Sequence, residues 1–471
     1  MNPRFLSLVT LLALAGCDMA PRYVRPTAPV PATLPTVDNG AGAATANPAD
    51  VAWRDFFVDE RLRRLIQLSL DNNRDLRVAV ANVAAARAQY HVQRAGLLPT
   101  IGASGAATYQ KTPPGLGSVA SSAGQAAGNA TRVDIYQANV GVSAWEVDLF
   151  GRIRDLTKAA QEQFFAVQEN RDAAQTALVA EVATAWLTLA ADQDKLRLAQ
   201  STAKAYGETY RLTQARFANR VASELEVRQA QTSFDSARAD IAQARTQVAQ
   251  DTNALNLLAG TTVAADMLPQ ELADATRDAL PEGLPSDVLL RRPDVASAEH
   301  VLRAANANIG AARAAFFPKV SLTAAFGTLS LGLSNLFGSG SQYWSVAPTA
   351  TVPIFDFGKN QGNLHYAQAT RDAQVATYEK TVQTAFREVA DALAQRAHIG
   401  DQLEAQTSQR DAATVAFKLA EARFREGVDP FLTTLDSQRS LYAAQQNLLT
   451  VRLARQTNLV ELYRSLGGGL K

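Results

Sequence analysis

Side chains with the types and spacing needed for catalysis are few in this 471-residue chain. The four histidines stand far apart, at positions 91, 300, 365 and 398, without the spacing of a zinc site. The sequence has no nucleophile elbow and no glycine-rich phosphate loop. The residues that suggest chemistry are Cys17, suited to covalent modification, and the pair Asp436 and Arg439, suited to an ionic contact. We therefore expect no enzymatic activity, no metal site and no bound cofactor.

The segment before Cys17 is typical of a bacterial lipoprotein signal. Arg4 precedes an apolar run over residues 5–15, and the small residues Ala15 and Gly16 stand directly before the cysteine. This pattern predicts a signal peptide and a mature chain that begins with a lipidated Cys17. The alternative is an ordinary signal peptide with an incidental cysteine, although the sequence offers no second cysteine for a disulfide. One acyl chain anchors weakly, so firm anchoring requires a multiply acylated Cys17.

An internal duplication predicts the architecture. Residues separated by 207 positions match without a gap, from the pair Gly151 and Gly358 to the pair Gly260 and Gly467. The first copy carries 12 extra residues, which fall in a glycine- and serine-rich stretch typical of a surface loop. The predicted division is a signal peptide (1–16), a lipidated tether (17–58), a first repeat (59–260), a linker (261–292), a second repeat (293–467) and a short tail (468–471).

Each repeat contains two segments with a period of two. Val140 and Val142 alternate with small or polar residues in the first repeat, and the second repeat shows the same pattern. The patterns predict β-hairpins over residues 97–148 and 318–356. Such alternation is typical of transmembrane barrel strands, although a soluble sheet would also show it. Four strands cannot close a barrel, and open edges in lipid leave backbone groups unsatisfied, so membrane-spanning strands require several chains.

Helical periodicity fills the remainder of each repeat. Val179, Val182 and Trp186 follow one another at steps of three and four, as in a coiled-coil seam. A helix is predicted before each β-hairpin, and helical hairpins are predicted over residues 152–258 and 359–466. Each helical hairpin opens with a helix of about 65 residues, which is about 100 Å long.

Capping residues predict where these helices end. Ser223 is expected to cap the first return helix, and Gly427 is expected to terminate the second long helix. Asn73 marks a break in the first helix, and Ser286 is expected to cap a short turn in the linker.

Charge and hydropathy narrow the class of protein. The net charge is +1 and no basic block occurs, so nucleic-acid binding has no electrostatic support. Downstream of Cys17 we expect no apolar run to approach the roughly 18–20 residues that a transmembrane helix requires. Any membrane crossing by the mature chain is therefore expected to use the strands.

Several stretches, in this order, resemble a known family. They are residues 284–294 (LPSDVLLRRPD), residues 314–318 (AAFFP) and residues 353–358 (PIFDFG). Across almost its whole length the sequence is similar to outer membrane factors of the TolC superfamily, in the lipoprotein branch of the NodT and OprM type.

The resemblance implies a mixed α and transmembrane β fold that is internally duplicated. A homotrimer would form a twelve-stranded outer-membrane β-barrel, continued by a twelve-helix periplasmic α-barrel with a mixed equatorial belt that includes the tether and the linker. The implied partners are outer-membrane lipid, a periplasmic adaptor (membrane fusion protein) and an inner-membrane transporter, often of the resistance-nodulation-division (RND) type. The implied function is the exit duct of a tripartite efflux pump, which passively conducts drugs or other small toxic compounds out of a Gram-negative cell.

The resemblance also assigns roles near the helical turns. Leu432, Asp436 and Arg439 share one helix face and are implied to form a periplasmic gate. The first repeat carries different residues at the matching positions: Leu225, Gln229 and Thr232. Taken by themselves, Asp436 and Arg439 are equally consistent with a surface ion pair between residues three apart.

The two turns are implied to be the surface that contacts the adaptor. The residues concerned are Arg216, Phe217, Val221, Arg423, Phe424, Gly427, Val428 and Asp429. Ordinary helical-hairpin chemistry also accounts for Gly427.

Other functions stay open at this point. Within the channel class these are metal-ion efflux and type I protein secretion, and outside it a non-spanning coiled-coil scaffold lipoprotein. Asp18 directly follows the lipidated cysteine, a position at which aspartate retains lipoproteins in the inner membrane of some enteric bacteria, whereas the predicted strands indicate the outer membrane.

Overall fold

The computed structural model describes residues 18–35, 51–112, 131–277 and 285–470. The predictions for the signal peptide, for Cys17 and for the loop insertion in the first repeat lie outside these residues. Within the described residues the helices are α1 Trp53–Phe56, α2 Glu60–Asn72, α3 Arg74–Ala95, α4 Arg152–Ala218, α5 Glu224–Ala259, α6 Pro293–Ala314, α7 Lys359–Arg425 and α8 Phe431–Ser465. The strands are β1 Ile101–Thr112, β2 Thr131–Val147, β3 Lys319–Ser330 and β4 Gln342–Thr351.

The helix ends follow from local capping. Ser223 accepts a hydrogen bond from the Glu226 backbone N–H while the Glu226 carboxylate accepts one from the Ser223 backbone, which forms a capping box at the start of α5. Asn73 lies between α2 and α3. Its Oδ1 caps the start of α3 by accepting a hydrogen bond from the Leu76 N–H at 2.9 Å, and its Nδ2 donates to the Leu258 carbonyl at 2.9 Å. The break predicted at Asn73 is therefore confirmed, and its side chain ties the helix junction to α5.

The four strands form one antiparallel sheet in the order β1-β2-β3-β4. The register pairs Ala103 with Val140, Val140 with Phe326, and Phe326 with Trp344. A bulge interrupts the pairing of β2 with β3, at the point where Ala144 adopts a φ of 49°. Both β1 and β4 have a paired neighbour on one side only among the described residues.

The described chain forms two compact units, and each unit takes segments from both sequence repeats. The first unit holds the described residues within Met1–Arg25, Ala84–Phe165 and His300–Ala376, including all four strands. The second holds those within Pro26–Val83, Ala166–Glu299 and Thr377–Lys471. The compact units therefore do not coincide with the repeats.

The main hydrophobic core lies in the second unit. Trp186 of α4 is 1% exposed, and its indole Nε1 donates to the Met267 carbonyl at 3.0 Å. The ring of Phe56 stacks on Tyr463 with 4.0 Å between centroids. Aromatic burial on this scale contributes strongly to stability. Helix α1, the middle of α4 and the end of α8 are thus packed together.

One expectation about membrane helices was wrong. Among the described residues, α4 contains a window long and apolar enough to cross a membrane, and 56% of that window is buried inside the chain. The seam residues Val179, Val182 and Trp186 are buried by other parts of the same chain. Because packing accounts for this apolar stretch, it is a core helix segment.

The linker and the N-terminal tether are paired. Thr33 forms an isolated antiparallel bridge with Pro285, and Phe57 forms one with Thr276. The predicted capping role of Ser286 is wrong, because the 3-10 helix Ser286–Arg291 has Pro285 at its N-cap and no side-chain cap bond. The Ser286 hydroxyl instead donates to the Pro31 carbonyl at 2.6 Å.

Candidate functional site

The first helical turn, residues 219–223, closes by a Schellman motif. The Val221 N–H donates to the Arg216 carbonyl at 2.8 Å, and the Arg220 N–H donates to the Phe217 carbonyl at 2.9 Å. The second turn, residues 426–430, repeats these bonds at 2.9 Å from Val428 to Arg423 and at 3.0 Å from Gly427 to Phe424. The two turns therefore share one backbone geometry.

The turns differ in the type of residue that adopts the left-handed backbone conformation. Gly427 has a φ of 76°, whereas Arg220 holds the matching position with a φ of 62°. A left-handed backbone conformation costs a non-glycine residue about 1–2 kcal/mol, and glycine at position 220 would remove this cost. Glycine also gives the unfolded chain more conformational freedom, which lowers stability by about 0.5–1 kcal/mol. We expect Arg220→Gly to raise the free energy of unfolding by about 0.5–1 kcal/mol, measured by denaturant titration followed by circular dichroism.

Gly427→Ala is the matched control for this prediction. A β-carbon at Gly427 would meet nothing within 4 Å, so only the backbone conformation opposes it, and we expect destabilisation. An Arg220→Gly protein less stable than wild type would contradict the account.

The two hairpins pack against each other near the turns. The Arg216 guanidinium carbon lies 4.6 Å from the ring centroid of Phe424, a cation–π contact. Ala230 of α5 is buried together with Phe431 and Leu435 of α8. The turns are therefore held side by side within one chain.

A charged pair braces the second turn. Arg423 donates from Nε at 2.6 Å and from Nη2 at 2.8 Å to the two carboxylate oxygens of Asp429. The guanidinium hydrogen bonds hold the pKa of Asp429 below its ordinary value. Apolar side chains at the two turns are exposed: Phe217 is 46% exposed, Val221 65% and Val428 61%.

The three residues assigned to the gate lie near the start of α8. All three are exposed, and the Arg439 side chain also reaches α5. Its Nε and Nη2 donate to the Ser233 hydroxyl at 3.2 and 3.0 Å, and its Nη1 lies 3.8 Å from Asp436 Oδ1. The contact with the neighbouring helix is thus shorter than the surface ion pair.

A second contact between α8 and α5 was missed from the sequence. The Tyr442 hydroxyl donates to Asp240 Oδ2 at 3.0 Å. Burial and this bond raise the pKa of Tyr442, so the phenol stays protonated and able to donate. Ser233 and Asp240 are seven residues apart, which places both on one face of α5, and this spacing was the available signal.

The sheet in the first unit has an apolar face. Val140, Phe326 and Trp344 are directly paired neighbours on it. Phe326 is 65% exposed and Trp344 74% exposed within the chain. Large side chains left uncovered in a row are typical of a surface that meets lipid or another protein.

The opposite face of the sheet is polar. The Ser104 hydroxyl donates to Asn139 Oδ1 at 2.9 Å, and Asn139 Nδ2 donates to the Tyr343 hydroxyl at 3.1 Å. This chain of bonds crosses β3 at Gly327, which carries no side chain between the two partners. A sheet with one apolar and one polar face suits a barrel wall between lipid and water.

A comparison with known protein families identifies the family of this chain. Residues 65–261 and 284–468 match the family described as "Outer membrane efflux protein". The chain belongs to this family. It is accordingly an outer-membrane efflux component of a Gram-negative bacterium, a passive conduit and not an enzyme, as the sequence predicted.

Similar proteins confirm the channel fold. The toluene efflux pump outer membrane protein TtgC and the antibiotic efflux pump outer membrane protein ArpC, both of Pseudomonas putida, are each 46% identical to this efflux channel over 476 residues, covering 100% of this chain and 96% of theirs. The crystal structure of the open state of the Neisseria gonorrhoeae MtrE outer membrane channel superposes with a TM-score of 0.85 at 38% identity, covering 97% of this chain and 99% of that one.

Proposed function

We propose that three copies of this chain close one twelve-stranded barrel in the outer membrane and form the exit duct of a tripartite efflux pump. The observation that carries this proposal is the four-stranded sheet with an apolar face, a polar face and two edge strands. An unpaired edge in lipid leaves backbone donors and acceptors unsatisfied at several kcal/mol each. Pairing β4 of one copy with β1 of the next satisfies both edges, and a closed ring of three copies leaves none.

The helices and the N-terminus complete the proposed assembly. Two long helices and two stacked pairs of shorter helices per chain give twelve helix-widths in a trimeric periplasmic wall. Lipidation of Cys17 anchors each chain beside the barrel. Family membership and the lipoprotein-type residues before Cys17 support this arrangement.

The proposed cargo is small apolar toxic compounds, including organic solvents and drugs. The names of TtgC and ArpC, which refer to toluene and antibiotic efflux, support this class. An adaptor and an inner-membrane transporter of the RND type supply the energy and most of the selectivity. Leu432, Asp436 and Arg439 gate the periplasmic end, and the first and second turns meet the adaptor.

Functional complementation tests the proposal. The chain is expressed in a Pseudomonas strain that keeps an RND pump and its adaptor but lacks their outer-membrane channel. We expect restored tolerance to toluene and lower accumulation of a fluorescent drug. Correctly inserted protein that leaves accumulation at the level of the deletion strain would contradict the proposal.

The exposed apolar side chains of the turns give a sharper prediction. We expect Val221→Asp combined with Val428→Asp to abolish complementation, because two carboxylates would be buried unpaired in the adaptor contact. Both side chains are exposed in the chain, so the channel itself should form normally.

The matched control is Val415→Asp, which alters a 56%-exposed valine of α7 outside the turns. It should complement like the wild type. Normal efflux by the double variant would show that the turns do not contact the adaptor.

A further inference from the structure

The first described residues of the chain are docked on two helices of the first unit. The Pro21 carbonyl accepts a hydrogen bond from Asn306 Nδ2 at 2.7 Å, and the Met19 carbonyl accepts one from Arg313 Nη1 at 3.3 Å. Both donors belong to α6. Residues 18–23, which we call the docked segment, thus have specific polar partners.

At the head of the docked segment, two carboxyl groups meet. Asp155 in the first turn of α4 is 3% exposed, and the carboxyl group of Asp18 lies within hydrogen-bonding reach of it. No donor among the described residues reaches Asp155 Oδ2. Two ionised carboxylates have no proton to offer each other, so a contact between them would lack a donor.

The backbone of α6 closes the space around this contact. A β-carbon at Gly310 would lie 2.1 Å from Asp155 Oδ2 and 2.6 Å from the Ala20 nitrogen. The Ala20 N–H itself is occupied, since it donates to Asp18 Oδ1 at 2.8 Å. The Asp155 carboxyl group is therefore packed tightly between the docked segment and α6, whereas Asp18 lies at the surface of this contact.

We propose that Asp18 and Asp155 share one proton, and that this proton locks the docked segment onto α4 and α6. One carboxyl group keeps the proton, and its O–H donates to an oxygen of the other group. The shared proton supplies the missing donor for the buried Asp155 and removes one of two like charges from the contact.

The charges around the pair favour this state. Burial, followed by the charge of Asp18, raises the pKa of Asp155 to about 7. Lys158 on α4 opposes the shift, and Asp148 from the β2–α4 connection adds to it. From α6 the nearby cation is Arg313, whose guanidinium is bonded to a carbonyl of the docked segment.

The direction of the pH dependence follows from the raised pKa. Docking takes up a proton, so it is strongest at acid pH and is lost as the pH rises through about 7. With an undocked pKa near the ordinary value, the docking equilibrium should weaken about thirtyfold between pH 5.5 and pH 8.5.

This device gives Asp18 a role that is separate from lipoprotein sorting. Cys17 is the residue immediately before Asp18. The docking itself does not depend on the lipid or on transport, so its test is independent of the proposed function.

Hydrogen exchange of the full-length protein in detergent tests the proposal. The readout is the protection factor of the Ala20 backbone amide, whose N–H donates to Asp18 Oδ1, referred to its intrinsic exchange rate at the same pH. For the wild type we expect a fall of about thirtyfold from pH 5.5 to pH 8.5. In Asp155→Asn the amide donates to Asp18 at every pH, so protection should persist without a pH dependence.

Two further variants keep the result interpretable. Asp18→Asn should also lose the pH dependence, and it lies outside the helices, so it cannot prevent folding in the way a helix substitution can. Asp172→Asn removes another α4 carboxyl whose pKa burial raises, and it should keep the wild-type pH dependence. Equal wild-type protection at both pH values, or an undiminished fall in Asp155→Asn, would overturn the proposal.

Discussion

A variant that carries both Asp436→Ala and Arg439→Ala is expected to conduct ions across planar lipid bilayers far more often than the wild type. Arg439 links α8 to Ser233 of α5 through two hydrogen bonds, at 3.0 and 3.2 Å. Because the Arg439 side chain is 46% exposed, this link is worth about 1 kcal/mol per chain. If three chains open together, the closed-to-open equilibrium should shift by about a hundredfold.

The first repeat offers the matched control for this gate variant. Thr232 stands at the position equivalent to Arg439, and its hydroxyl donates to the Arg228 carbonyl of its own helix at 2.8 Å. Thr232→Ala should therefore leave conductance unchanged, whereas Ser233→Ala should reproduce part of the effect of losing Arg439. An open probability equal to that of the wild type in the double variant would show that Asp436 and Arg439 do not hold the gate closed.

Replacing Arg292 with methionine should have the largest effect on stability. This arginine is 5% exposed, and its Nη2 approaches Asp294 Oδ2 at 2.7 Å and Glu388 Oε2 at 2.9 Å. Its Nη1 also donates to the Ser465 carbonyl at 2.9 Å. Removing one member of such a buried network leaves its partners uncompensated, at about 3–5 kcal/mol.

The adjacent Arg291 provides the comparison for Arg292→Met. Arg291 is exposed, so Arg291→Met should change the free energy of unfolding by no more than about 0.5 kcal/mol. Thermal unfolding followed by circular dichroism at the helical band measures both variants. A Tm for Arg292→Met equal to that of Arg291→Met would show that the network contributes nothing to stability.

Periodic local features of the fold were accessible from the sequence. Both long helices, Arg152–Ala218 and Lys359–Arg425, begin at the expected residues and have close to the expected length, because the apolar spacing and capping residues that define them are local in the sequence. The Ser223 cap and the left-handed Gly427 likewise depend only on neighbouring residues. The division into signal peptide, tether, repeats and tail stays a prediction.

Contacts between distant segments were not accessible in the same way. The motif residues Arg291 and Arg292 are identical in type, and the buried one, Arg292, has two partners that are remote in the chain, Glu388 and the Ser465 carbonyl. The sequence likewise could not pair Asp18 with Asp155, since nothing local brings the N-terminus to the start of α4. Ser286 was assigned to capping because its partner, Pro31, is remote in the chain.

Hydropathy alone does not distinguish a buried helix of this chain from a membrane-spanning one. The window in α4 that passes for a membrane span is apolar because it packs against α2, α5 and α8 on several sides. A helix that is buried on several faces resembles a transmembrane helix in composition. Only the observed packing separates the two.

The central claim is that one chain supplies a third of a barrel, and native mass spectrometry of the protein purified from outer membranes tests it most directly. Release from detergent should yield a complex with the mass of three mature chains, each carrying acyl groups at Cys17. A folded monomer that retains its β-sheet signal would contradict the claim, because its sheet edges would then be stable without a neighbouring copy.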